Sequence, residues 1–398
     1  MTSVVDTSVK HAHSAMANAM VVNGVEGSGV ALLDAFLVNG WDLKAATSLT
    51  VAAGIATLAF AGTHSATVDS VILADGSSIA ALNGEQKVVA AGAGFVKFAT
   101  AAPDGASAAG VSFKMAPAGW SIAFTGTNLR AYKSAAPDGY GMYLRVDDTN
   151  AYQMRVTGYE QMTDINTGAG AFPAAAMVTG GGLWAKSWQA NSTAVPWTLF
   201  ADGRMFYIGI AGDYASNPLY VGQIVRGFGD MLERRPGGDP YACVLNCHIN
   251  PTAIPAVAAM QGSFSGGAAV GYSFLPRGYS GLGSAEQNNA YPFSGSAGAV
   301  SGADLRFGAF PGPFGELMLS PKYVATSAAA AARANLPGIY QIPHGAVFDT
   351  FKTGDTVSGT GALAGRRLMM VAVAESVNTP ASAGGMGVLA FDVTGPWR

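Results

Sequence analysis

The sequence predicts a mainly β, multi-domain chain: a β-sandwich core with a small N-terminal β-barrel-like module, a C-terminal β module and few short helices. The first observation behind this is a pair of alternating runs. Met142, Leu144 and Val146 share one face against Tyr143 and Arg145; after the polar stretch Asp147-Asp148-Thr149-Asn150 the alternation resumes with Tyr152, Met154 and Val156. Period-two alternation on both sides of a turn marks an antiparallel hairpin with one buried face. The second is aromatic. Trp184, Trp188 and Trp197 gather ahead of the turn Ala201-Asp202-Gly203-Arg204 and the apolar run Met205 to Ile210, which adds a hairpin and a large buried area for a sandwich core. The third is rhythm. Between Ser48 and Pro117 short apolar runs alternate with turn clusters at Thr63-His64-Ser65, Asp75-Gly76-Ser77, Asn83-Gly84 and Pro103-Asp104-Gly105. A spacing of roughly ten residues per strand and turn suits a small barrel or sandwich.

Taken in order, the chain divides into a lead-in segment (1–47), the small β module (48–117), a central β-sandwich domain with long Gly/Ser/Pro loops (118–335) and a C-terminal β module (336–398). In the lead-in, Leu32, Leu33, Phe36 and Leu37 have helical spacing and Asn39-Gly40 supplies a stop, so one short helix is expected. The uncharged run Ala45 to Gly62 has the length of a membrane span, but its Ala, Thr and Gly content reads as a strand pair. The longest loops are expected within Gln261–Gly302 and Phe307–Gly315. Ser327 to Asn335, SAAAAARAN, reads as an Ala-rich helix capped by Ser327 that connects to the last module. The last module carries strand-like AVFDTF, DTVSG, RRLMMVAVAE and GVLAFDV.

Only 12% of the 398 residues are charged, while Gly (53) is in excess. A surface so poor in charge is weakly protected against association, so an obligate homo-oligomer is expected. The net charge of −3 and the short basic pairs Arg234-Arg235 and Arg366-Arg367 leave no footprint for nucleic acid, and no membrane insertion is expected. The opening residues, with Asp6 and no apolar stretch, do not read as a secretory leader.

No catalytic motif emerges. G-x-S-x-G, G-x-G-x-x-G and the phosphate-binding lysine loop are all missing, and Gly359 to Gly365 reads as a turn between strands. Cys243, Cys247 and His248 come nearest to a metal set, but Cys243, Leu245 and Cys247 would share one strand face, so the cysteines are expected to be free, buried core residues. Asp164 to Gly168 opens like a calcium loop, but Ala175 stands where the bidentate Glu belongs. Asp147-Asp148 reads as a pair of solvated turn formers rather than glycosidase carboxylates. The sequence therefore predicts no enzyme, no cofactor and no metal.

Several stretches together resemble a family of uncharacterised virion structural proteins of tailed bacteriophages, siphovirus and Mu-like. They are MYLRVDDTN, RVTGYEQMTDINTGAGAFP and PWTLFADGRMFYI in the centre, LPGIYQIPHGAVFDTFKTGDTVSGTGALAGRRLMMV near the C-terminus, and VKHAHSAMANA with LLDAFLVNGWDLKAATSLTVAAGIATL at the start. The resemblance implies a structural component of the virion, assembled in the bacterial host cytoplasm at the tail tip or baseplate, with itself and other virion proteins as partners. A head decoration or head–tail connector protein is one alternative; a tail module binding host surface glycan is another. The contacts are expected from aromatics set among Gly, Ser and Pro: Phe264, Tyr272, Phe274, Tyr279, Tyr291, Phe293, Phe307, Phe310 and Phe314. The competing expectation is that these rings fill their own domain's core.

Overall fold

The computed structural model describes residues 4–108, 110–235, 237–249, 262–264, 272–293, 307–312, 315–374 and 386–398. The architecture is mainly β, as expected, and its strands fall into three sheets.

The first sheet closes on itself. Trp41–Ala52 pairs with Ile55–Phe60, and the circuit runs through Phe95–Ala99, Gly84–Gly92, Val71–Asp75 and Ser112–Met115 back to Trp41–Ala52. Leu49, Val51, Leu58, Val96, Phe98 and Phe113 are buried from alternate strand positions, so the interior is packed rather than hollow. This barrel is the expected small N-terminal β-barrel-like module, but its first strand starts at Trp41, so the boundary placed at 47/48 falls inside that strand; its first hairpin is the run that has membrane-span length. It is entered by the expected helix, Ser28–Leu33, which continues as a π-turn over Asp34–Asn39 and stops at Gly40 with φ 69°. A left-handed stop of this kind suits glycine.

The second sheet is ordered Gly168–Phe172, Gln153–Met162, Tyr143–Asp147, Leu129–Ser134, Trp120–Gly126, with Gly182–Ala185 also paired to Gln153–Met162. The expected hairpin is its centre, Val146 opposite Val156. The third and largest sheet starts at Lys10–His13 and runs through Trp197–Ala201, Met205–Ile210, Ile224–Asp230 and Cys243–Asn246. It continues to Ser273–Leu275, Glu286–Pro292, Ser320–Ala325, Ala334–Gln341, Met386–Asp392, Arg367–Ala374 and Thr356–Ser358. This sheet curls until its far strands meet its near ones: Phe200 stacks on Phe391 with centroids 4.1 Å apart, and Tyr207 donates to the Pro337 carbonyl at 2.8 Å.

Met205–Ile210 is buried at every position because both of its faces are covered. Phe206 and Ile208 face the second sheet, where Trp120 and Trp184 meet Phe206 edge-on at 5.3 and 5.9 Å. Met205 and Tyr207 face the inside of the curl. The sandwich is therefore the second sheet laid on the near half of the third. Each buried indole keeps a hydrogen-bond acceptor, Trp120 to the Asp202 carbonyl and Trp184 to the Asn246 carbonyl.

Three further expectations need correction. Ser327–Asn335 is not a helix: Ala334 already belongs to the strand Ala334–Gln341, and Arg333 is buried in an ion pair with Asp239 at 2.9 Å. A short Ala-rich segment gains too little from intrinsic propensity to resist sheet pairing and a buried guanidinium. The boundary placed at 335/336 falls inside that same strand, which pairs with Ser320–Ala325 before it and Met386–Asp392 after it, so one sheet runs through. Asp148 is not a solvated turn residue but wholly buried, whereas its neighbour Asp147 is partly exposed and bonds Thr149.

Truncating Phe206 to Ala should cost about 3–5 kcal/mol of stability by denaturant titration, since it leaves two indoles facing a cavity. Leu43→Ala, on the outside of the barrel at 68% exposure, should change it by less than about 0.5 kcal/mol.

Candidate functional site: an arginine–aromatic surface

Two exposed rings of the curled sheet's face, Tyr279 and Phe293, and the nearby Tyr241 each lie against a guanidinium. Arg234 lies over Phe293 at 5.1 Å, Arg235 over Tyr279 at 5.0 Å and Arg277 over Tyr241 at 4.8 Å. Phe293 leans on Tyr323 at 5.0 Å, and Tyr323 on Tyr291 at 5.7 Å. Tyr279 and Phe293 remain 51% and 46% exposed, and Leu282 beside them 75%.

This arrangement is built from below. The short strand Leu232–Glu233 pairs with Ala334–Gln341, which brings Arg234 within 2.8 Å of the Asn335 side-chain oxygen. Arg235 donates to the Tyr279 carbonyl at 2.9 Å. Arg277 forks onto both oxygens of Glu160 at 2.9 and 2.8 Å, tying this face to the second sheet. Beneath it sits Arg333, 4% exposed, held by Asp239 and Glu286 and donating to the Arg277 carbonyl. A planar guanidinium with several donors can anchor three segments at once, so the loops above it are held in place. Exposed rings with neighbouring arginines on a fixed base are the composition of binding hot spots, and they also suit stacking of a sugar ring.

The expected contact residues divide. Tyr279 and Phe293 are on this surface, with Tyr291 just beneath it at 5% exposure. Phe264 and Phe274 are 0% exposed and Tyr272 5%, so these three fill their own chain's core, as the competing expectation has it; the interface reading is corrected for them. Phe264 meets Tyr207 inside the curl, and Tyr272 meets His248. Phe307 and Phe310 flank His344 away from this surface. Phe314 lies outside the described residues, as do 261, 265–271 and 294–302 within Gln261–Gly302. Sequence reasoning passed over Arg277, Arg333, Tyr241 and Tyr323. Arg234-Arg235 was legible only as a short basic pair, because its ring partners are remote in sequence.

Concavities also lie elsewhere among the described residues. One of 660 Å³ is bounded by His13, Trp197, Tyr214, Gln223, Phe348 and Lys352; a broader groove of 1110 Å³ runs beside Leu317, Tyr340 and Phe351. Cys243 and Cys247 are free and buried, and burial pushes the Cys247 thiol up to about 12. Among the described residues no group of three or more His, Cys, Asp or Glu side chains is placed to hold a metal ion. In comparisons with known proteins the chain matches no family model and no curated protein.

Near this surface, Lys322 is buried with its amine on Gln341 Oε1 at 2.7 Å, and burial lowers its pKa from 10.5 to about 7. A lysine whose pKa is lowered by folding is protonated in the unfolded chain first. Its penalty is full below about 7 and is relieved as pH rises toward 10.5. Stability of the native chain should therefore climb between these values relative to Lys322→Met, by up to about 1.4 kcal/mol per pH unit. Parallel curves for the two chains in urea titrations across this range would refute it.

Proposed function

We propose that this chain is a structural component of a tailed bacteriophage virion, at the tail tip or baseplate, that assembles with copies of itself and neighbouring virion proteins. The reading starts from the resemblance of its central, C-terminal and opening stretches to phage structural proteins. The observation that carries the contact surface is the set of exposed rings, Tyr279 and Phe293, each under an arginine, in a chain with only 12% charged residues. Aromatic rings and arginine are enriched where subunits meet, and rings lose little side-chain entropy on burial. No catalytic step belongs to this role, and no cofactor.

One observation favours a second reading, a host-glycan binding module of the tail. The Tyr279 ring is half exposed with Arg235 against it, a platform on which a sugar face could stack.

The test is sedimentation of the purified chain beside a Tyr279→Ser, Phe293→Ser double variant. The native chain should associate at micromolar concentration and the variant should sediment as a monomer with an unchanged melting temperature. A native chain that stays monomeric, or a variant that associates equally, removes this surface as the subunit contact. A native monomer that loses binding to host-cell glycan with the same two changes would favour the second reading.

A further inference from the structure

The sandwich encloses a pair of reactive groups that subunit assembly does not require. Asp148 follows the strand Tyr143–Asp147, and Lys186 follows Gly182–Ala185; the strand Gln153–Met162 pairs with both of these. Both side chains are 0% exposed, and Lys186 Nζ is in contact with Asp148 Oδ1. The other carboxyl oxygen, Oδ2, accepts the backbone N–H groups of Gly29 at 2.8 Å and Val30 at 3.1 Å. Nζ has one more partner, the Val25 carbonyl at 2.9 Å. A Cβ on Gly29 would fall 2.4 Å from the Met154 sulfur and 3.3 Å from Asp148 Oδ2, so glycine leaves room for the backbone to approach the carboxyl.

We infer that Lys186 and Asp148 become joined by an intramolecular isopeptide bond, formed by the folded chain itself. The amine, the carboxyl carbon and two N–H donors stand in the order that acyl transfer requires. Transfer of one proton from Nζ to Oδ1 turns the ion pair into an amine and a carboxylic acid, a step made less costly because burial raises the Asp148 pKa. The Nζ lone pair then adds to Cγ and the carbonyl electron pair moves onto Oδ2, where the Gly29 and Val30 N–H groups receive the negative charge. A second proton passes from Nζ to Oδ1, the Cγ–Oδ1 bond breaks, water leaves and the carbonyl re-forms. The product keeps one N–H, which the Val25 carbonyl accepts, while Oδ2 keeps both of its donors. One amine and one acid give one amide and one water, with no oxidant and no added reagent. Amide formation is unfavourable between free groups in water; here the two are held in contact, away from solvent, and the product removes two charges from an apolar core.

Intact-mass spectrometry of the folded, full-length chain tests this. The expected mass falls short of the sequence mass by one water. Trypsin should fail to cut after Lys186, and fragmentation should show a branched pair of peptides containing Asp148 and Lys186. Lys186→Met should restore the full sequence mass. A folded native chain with the full sequence mass overturns the inference. So does a deficit that maps to a single linear peptide, as a succinimide at Asp138-Gly139 would give. Because the native chain alone decides, a Lys186→Met variant that fails to fold does not weaken the test.

Discussion

One constraint governs the chain: the strand Met205–Ile210 must satisfy two cores at once. Its even-numbered residues Phe206, Ile208 and Ile210 belong to the sandwich, its odd-numbered Met205 and Tyr207 to the interior of the curled sheet. A strand in the middle of a sheet offers both faces, and burying both commits the layers on either side to fixed positions. The second sheet is fixed through Trp120 and Trp184, and the far half of the third through Tyr207, whose hydroxyl reaches Pro337. The glycine opposite Tyr207 is part of the same constraint. A Cβ on Gly227 would lie 2.5 Å from the Phe206 carbonyl oxygen, so the neighbouring strand approaches as it does because no side chain stands there.

Charge follows from the same economy. Few charged residues are spent on the surface, and several are placed inside as connectors: Arg333 joins the loops beneath the arginine–aromatic surface, and Lys10 bridges the first strand to Glu85 of the barrel at 2.8 Å. Asp230 is pushed up to about 6 by burial even though Arg204 lies against it at 3.0 Å. Buried ions of this kind contribute modest net stability but penalise any arrangement that separates them, so they act on uniqueness of packing more than on its depth.

How far the sequence was legible depended on whether a signal was local. The hairpin around Asp147–Asn150, the barrel rhythm and the stop at Asn39-Gly40 are set by neighbours in sequence, and each was readable. The buried cysteines were readable for the same reason, since alternation along one strand decides which face they take. Asp148 was not, because its surroundings come from Gly29, Val30 and Lys186, which no local pattern connects to it. Ser327–Asn335 misled because its alanines state a helical preference that the pairing of Ala334 and Asn335 with Val324 and Tyr323 and the burial of Arg333 outweigh. The aromatics within Gln261–Gly302 carried a composition without a direction: only the register of Glu286–Pro292 against Ser320–Ala325 and the fold-back of the loop at Tyr279 decide which rings face out.

The largest sheet runs from Lys10–His13 at one end to Thr356–Ser358 at the other, strands of four and three residues. Every long strand is thus flanked by a partner, and what remains at either margin is a stub with few unsatisfied backbone groups. The barrel has no margin at all, its first strand pairing with both its second and its last. An apolar chain with long open strand edges would invite uncontrolled strand-to-strand growth into fibres. With both margins of the largest sheet blunted, the long open edge among the described residues is that of the second sheet, where Trp120–Gly126 has a single neighbour; on the largest sheet a contact would have to be made by side chains, which can specify a stopping point where a bare backbone edge cannot.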